Sequence, residues 1–231
     1  MKQKQHGFTL VEIAIVLVII GLLLGGILKG QEMITQAKIK NVVADMSGVS
    51  AAMYGYQDRY KALPGDDNRA NPRWTTTAPG DGNGIITGIY TVLASGTTQQ
   101  ATMEAGFFWQ HLRLAGFISG TGTEQPFNAV SGRMGVQTGD GAVPPAFPAG
   151  VLSDGQPAPA TTAFTSLMLC SANLPDKIAI SVDSQTDDGV GTTGTVRGLL
   201  QAQPNPPIPA GGNASAYIEN GVNTYVVCRT L

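Results

Sequence analysis

Residues 8–28 read FTLVEIAIVLVIIGLLLGGIL, and the only charge among them is Glu12. As a helix this stretch rises about 31 Å, the thickness of a bilayer core. Lys2 and Lys4 stand ahead of it, and basic residues on one flank keep that end on the cytoplasmic side. The remainder of the chain is then expected across the membrane. A secretory signal peptide shares the basic start, but its apolar region is shorter and ends in a small-residue cleavage site. A plain membrane anchor fits the hydropathy equally well and gives Glu12 no purpose. A carboxylate in hydrocarbon is costly and such residues usually have a partner.

Beyond Lys29 the pattern changes without a helix breaker. Ile39, Val42, Val43, Met46, Val49, Met53, Tyr56, Tyr60 and Leu63 recur at steps of three and four, which predicts an amphipathic helix. Lys38, Lys40, Asp45, Asp58, Arg59 and Lys61 fall largely between them. Leu63-Pro64-Gly65 stops the run, because a residue before proline avoids the α region. One helix is therefore expected from about Phe8 to Ala62: a span over 8–28, then an amphipathic stalk over 29–62. The stripe of Met and Tyr on the stalk must be covered by a head domain, residues 63–231. Within the span, Gly21 and Gly25 form a G-x-x-x-G that lets helices approach closely. The same glycines are also weak points in a helix.

The head is expected to be loop-rich, with short helices and an antiparallel sheet. PGDDNRANPRW (64–74) and PGDGNG (79–84) are turn-rich and acidic. DGNG lacks the spaced ligands and terminal Glu of an EF-hand, so a plain turn is the simpler reading. A helix is expected from Thr102, as N-cap, to Ala115, with Gly116 just past its end. Phe108, Leu112 and Ala115 give it an apolar face, and His111 beside that face reads as structural, with no Ser or Cys paired to it. Residues 138–162, rich in Gly, Pro, Ala and Thr, predict a long surface loop. Residues 163–173 are expected to form a short helix carrying Cys170. LPDKIAISVDSQTDDG (174–189) alternates like a strand at Ile178, Ile180 and Val182, while Pro175 and Gly189 bracket it as a helix; helix is the narrow preference. Gly194–Leu200 and Asn223–Arg229 predict β-strands separated by a proline-rich loop over 201–212.

The N-terminal residues KQKQHGFTLVE (2–12) resemble the signal of type IV prepilins and of the pseudopilins of type II secretion. That signal is a short basic leader, then Gly, then Phe, with Glu a few residues on and an apolar run behind. The resemblance implies an α+β fold of the pilin lollipop kind. It implies cleavage between Gly7 and Phe8 by a prepilin peptidase, which makes residues 1–7 a leader, and N-methylation of Phe8. It also implies that Glu12 pairs with the terminal amine of a neighbouring subunit during assembly; pairing with its own amine four residues away is the local alternative. The implied partners are identical or related pilin subunits, the peptidase, an inner-membrane assembly platform and the membrane itself. The implied course is a single-pass inner-membrane precursor with a periplasmic head, then a pilus or pseudopilus filament. No proline precedes Pro64, a departure from many pilins that leans toward a pseudopilin or minor pilin. Leu63–Gly65, the DGNG turn and DDGVGTTGTVRG (187–198) also resemble the head of a widespread prepilin-like group, more loosely. Related pseudopilins hold calcium in a C-terminal loop, for which Asp183, Asp187 and Asp188 are the candidate ligands here; solvated turn residues are the preferred reading, and no other cofactor is expected.

Composition narrows the alternatives. Charged residues are 13 % of the chain, against roughly 25 % in average soluble domains. The 14 basic and 16 acidic side chains give a net charge of -2; loss of Lys2 and Lys4 leaves 12 against 16, or -4. Nothing in that balance suits phosphate neutralisation, so no nucleic-acid partner is expected. The two cysteines, Cys170 and Cys228, match no zinc spacing; outside the cytosol they are expected to pair, and two buried thiols are the alternative. No nucleophile elbow, HExxH or P-loop occurs, which disfavours a membrane-anchored enzyme. A filament subunit is the leading function, with a ligand-binding minor pilin, an adhesin or a DNA-uptake receptor, behind it.

Overall fold

The computed structural model describes residues 9–91, 103–139, 151–153, 163–208 and 212–231. The chain divides into two units, Met1–Lys38 and Ile39–Leu231. Helix α1 runs Leu10–Tyr60. Its residues from Leu10 to Leu28 are all exposed, so a continuous apolar surface lies open, far larger than water-facing patches normally are. It is the one described helix long and apolar enough to cross a membrane.

From Ile39 onward the same helix has an inside and an outside. Ile39, Val42, Met46, Val49, Met53 and Tyr56 are buried, at the steps of three and four that place them on one face. The helix ends two residues before the expected Ala62. Lys61 takes φ +56° and donates its N–H to Gln57 O at 2.8 Å, an αL cap that satisfies an orphan carbonyl.

The second unit is built on a four-stranded antiparallel sheet in the order β1-β2-β4-β3. The strands are β1 (Met134–Thr138), β2 (Leu167–Pro175), β3 (Val196–Leu200) and β4 (Thr224–Thr230). Short helices α2 (Ala70–Arg73), α3 (Glu104–Leu114) and α4 (Asp176–Thr186) complete it. This is an α+β fold with a long N-terminal apolar helix. The buried stripe of α1, with Phe108, Trp109 and Leu112 of α3 and Ile178 and Val182 of α4, packs with Leu169, Tyr225 and Val227 of the sheet. Alternate residues Met168, Cys170, Val226 and Cys228 enter a second core with Tyr90, Val151, Leu152, Phe164 and Ile208. The period-two alternation of strands β2 and β4 thus feeds two separate cores, one on each face.

That arrangement corrects one expectation. Residues 163–173 do not form a helix; Cys170 lies in strand β2, Leu167–Pro175. A central strand covered on both faces needs apolar or small residues at every position, so it shows no alternation to read. Cys170 pairs in register with Cys228 of β4, and the two form a disulfide wholly inside the second core. The preferred helix over 174–189 is α4, ending at Thr186. Strand β3 begins at Val196, and β4 at Thr224, each within two residues of expectation.

Helix α3 is capped at Met103 without a side-chain bond, while Thr102, the expected cap, lies outside the described residues. Its C-terminus follows the reading closely. Gly116 takes φ +78°, its N–H reaches Arg113 O at 3.0 Å, and Phe117 N–H reaches Leu112 O at 2.9 Å. That is a Schellman motif. Of the expected loop over 138–162, residues 140–150 and 154–162 lie outside the described residues; Val151 and Ser153 bridge Phe164 and Asn213.

Strand β1 has no signal strong enough to be read, since its MGVQT is short and contains Gly135. A Cβ at Gly135 would stand 1.7 Å from Tyr90 O, so close backbone approach demands glycine there. Gly135→Ala is expected to destabilise the protein by about 2–3 kcal/mol, read as a lower chemical-denaturation midpoint. Gly48→Ala, whose Cβ would meet nothing within 4 Å on helix α1, should stabilise it by up to about 1 kcal/mol.

Candidate functional site

The first turn of α1 holds the acid singled out by the sequence. Thr9 N–H donates to Glu12 Oε2 at 2.8 Å and Thr9 Oγ1–H donates to the same oxygen at 2.9 Å. Glu12 N–H in turn donates to Thr9 Oγ1 at 3.3 Å. The reciprocal pair is a capping box: a Thr at the N-cap and a Glu three residues on satisfy two orphan donors of the first turn. A carboxylate here also faces the positive end of the helix dipole. Glu12 therefore has a partner inside its own chain, which the search for a charged partner overlooked. The T-x-x-E of Thr9–Glu12, directly ahead of an apolar run, is the signal that reveals it. Both bonds fall on Oε2, and among the described residues Oε1 has no partner. Gly7 and Phe8 lie outside the described residues.

Elsewhere the functional groups lie on the second unit. His111, read as structural, is buried completely. Gly65 N–H donates to its Nδ1 at 2.9 Å, and Nε2 lies 3.2 Å from Ala78 O. Accepting at Nδ1 fixes the neutral tautomer with the proton on Nε2, which donates to Ala78. The ring stacks near Tyr56 and Phe107, at centroid distances of 6.2 and 6.3 Å. Burial lowers its pKa to about 4, against the raising effect of the Ala78 bond and with help from Arg73.

Two groups of carboxylates bring oxygens close enough to share a cation: Asp66, Asp81 and Glu104, and Asp183, Asp187 and Asp188. The sequence reading named the second group and missed the first, because Glu104 lies far along the chain in α3. In both groups the oxygens already accept hydrogen bonds from the loops they fold. Asp66 accepts the N–H groups of Gly82, Asn83 and Gly84 at 2.6, 3.1 and 2.7 Å; the DGNG turn is thus wrapped around a buried carboxylate. Glu104 accepts from Asp81 N–H at 3.0 Å and from Thr87 N–H at 2.9 Å. Asp183 accepts from Gly189 N–H at 3.0 Å and Tyr217 Oη–H at 2.9 Å. Asp187 accepts from Thr195 and Val196 N–H, and Asp188 from Val190 N–H and Thr193 Oγ1–H. These are the bonds of turn residues, and they are satisfied by the chain itself.

The class defined so far is a helix long and apolar enough to cross a membrane, capped by a Thr-Glu box, in a chain whose second unit is α+β. Residues 2–28 match the family model of the prokaryotic N-terminal methylation motif, the signature of type IV pilins and pseudopilins. That motif supports a pilin-like or pseudopilin precursor, processed by a prepilin peptidase. No curated protein and no solved structure matches the chain.

Asp183 offers a pH test of the head. Burial, with Asp187 and Asp188 adding charge, pushes its carboxyl up to about 6, although the bonds from Tyr217 and Gly189 pull the other way. The folded state then binds a proton that the unfolded state releases near pH 4, so stability rises as pH falls from about 6 toward 4 and that gain is absent at pH 7. Asp183→Asn is expected to raise the denaturation midpoint at pH 7 and to change it little at pH 4, below the window in which the penalty is lost. An equal effect at both values would mean that charge is not the cause.

Proposed function

We propose that this chain is a structural subunit of a type IV pilus or type II secretion filament: a pilin, minor pilin or pseudopilin. The observation that carries the reading is Glu12, the one charge in the apolar stretch 8–28 and inside the residues that match a methylation motif. In this reading residues 1–7 are a leader cut off after Gly7, on the cytoplasmic face. Cleavage removes Lys2 and Lys4 and creates an α-amine at Phe8, which is then methylated. The helix holds the precursor in the inner membrane with the head in the periplasm until an assembly platform moves it into a filament.

The capping box sharpens the role of Glu12 in that process. One carboxylate oxygen keeps the first turn wound, and the other is available to the amine of a neighbouring subunit. An anion in lipid with one oxygen unmatched favours any arrangement that brings it a cation. Helices packed side by side in register supply one, which makes assembly the relief of a desolvation cost.

Two measurements check this. Mass spectrometry of the mature protein, from cells with prepilin peptidase, should find a chain beginning at N-methylated Phe8; an intact Met1 or a start beyond residue 25 would rule the pathway out. Glu12→Ala and Glu12→Gln should both insert and be cleaved normally. Gln retains the capping bond but carries no charge, so both variants are expected to lose filament assembly at least about tenfold, a cost of about 1.4 kcal/mol or more per subunit. Normal filaments from Glu12→Gln would reduce the role of Glu12 to helix capping.

A further inference from the structure

The segment from Pro64 to Gly84 is fastened to helix α3 at three places along its length. One fastening is Glu104, which accepts the N–H of Asp81. A second is Gln110 in the middle, which accepts from Thr77 Oγ1–H at 2.8 Å and donates to Thr76 O at 3.0 Å. The third is His111, which accepts from Gly65 and lies against Ala78; it is the one of the three side chains that becomes a cation in acid. Gly65 sits at φ +93°, where a Cβ would stand 2.5 Å from Glu104 O, so its backbone is pressed on α3 and its N–H has one outlet, the imidazole. The next residue, Asp66, gathers the N–H groups of the DGNG turn, and Gly80 N–H closes on Asp67 O at 3.1 Å. Both ends of the segment therefore depend on the residues beside Gly65.

A protonated imidazole cannot keep this arrangement, because both its nitrogens are donors. Nδ1–H would confront Gly65 N–H, two donors in a buried space with no acceptor between them. None of the charged groups around the ring eases that conflict. From α1 comes Tyr56, whose hydroxyl is spent on Asp67 at 2.7 Å. From the loop comes Asp67, already ion-paired with Arg73 and holding Arg69 N–H. Arg73 of α2 is itself a cation and opposes a second one. The stretch around Ala78 brings a carbonyl, and Glu104, on the ring's own helix, is taken by Asp81 and Thr87.

We propose that His111 is an acid-sensitive latch: neutral, it fastens residues 64–84 to helix α3, and protonated, it releases that segment while the sheet stays folded. The latch's bonds reach no strand, and although Trp74 packs against the first core, the second core with its disulfide contains no residue of this segment. A ring that titrates at about 4 when latched and near 6.5 when free stabilises the latched state above the free value. That preference is lost as pH falls through the window between them. Opening is expected to become about 100-fold more frequent between pH 7 and pH 4. Asp66, whose carboxyl is raised by burial, titrates in the same loop, so the test must isolate the histidine.

Hydrogen exchange on the full-length protein in detergent micelles, corrected for intrinsic rates, makes the measurement. Protection over residues 65–84 should fall about 100-fold from pH 7 to pH 4, while β2 and β4 keep theirs. In His111→Gln, where the amide still offers Gly65 an acceptor but cannot take a proton, the pH-dependent fall should vanish. The same fall in the variant, an equal fall in the strands, or no fall in the wild type would overturn the proposal. Should the variant fail to fold, NMR titration of the wild-type imidazole decides instead. A ring titrating well below 6.5 together with the Gly65 amide shift supports the latch, and a ring titrating near 6.5 with an unmoved Gly65 amide overturns it.

Discussion

Helix α1 changes its solvent partway along an unbroken backbone, and the rest of the structure answers to that change. From Leu10 to Leu28 every residue is exposed, a surface suited to lipid or to other apolar helices. From Ile39 to Tyr56 every third or fourth residue is buried. One stripe can be satisfied only by one layer, and the sheet, with α3 and α4, provides it. The sheet then exposes an opposite apolar face that must be covered in its turn. Tyr90, Val151, Leu152, Phe164 and Ile208 do so from loops, with the Cys170–Cys228 bridge beneath them.

Polar groups in this head mostly serve the backbone. Asp66, Glu104, Asp176 and Asp183 are buried; the first three each accept two or more backbone N–H groups, and Asp183 accepts one together with the Tyr217 hydroxyl. Asp176, for example, accepts from Asn220 and Gly221 at 2.7 and 2.6 Å. In a chain with 30 glycines and 14 prolines, irregular segments carry many backbone donors that no helix or strand satisfies. Buried donors left alone are costly, and a carboxylate that collects several of them is an economical remedy. His111 performs the same service for Gly65, and a titratable ring in that position is what makes this fastening responsive to acid.

Legibility varied with the range of the interaction. The apolar helix, its amphipathic continuation and the stop near Leu63-Pro64 were plain, because each depends on neighbours within a few turns. The Schellman end of α3 at Gly116 was plain for the same reason. The capping box at Thr9 and Glu12 was equally local and still went unread, since a lone acid in an apolar run invites a search for a distant cation. Strand β2 carries a helix-like pattern, and β1 carries no local signal. Residues 167–175 are apolar on both sides because two cores meet there, and MGVQT becomes a strand only because β2 lies beside it.

By itself the sequence determined that the apolar stretch 8–28 holds a single acid and that an amphipathic stripe follows it and needs a cover. Those are consequences of residue type and helical period, which act between near neighbours. Only the tertiary structure decided which residues provide the cover, that Cys170 faces Cys228, and that Asp66, Asp81 and Glu104 converge. It also decided that His111 fastens Gly65. Each of these joins positions far apart in the chain, and their meeting depends on strand register and helix packing, which no local pattern encodes.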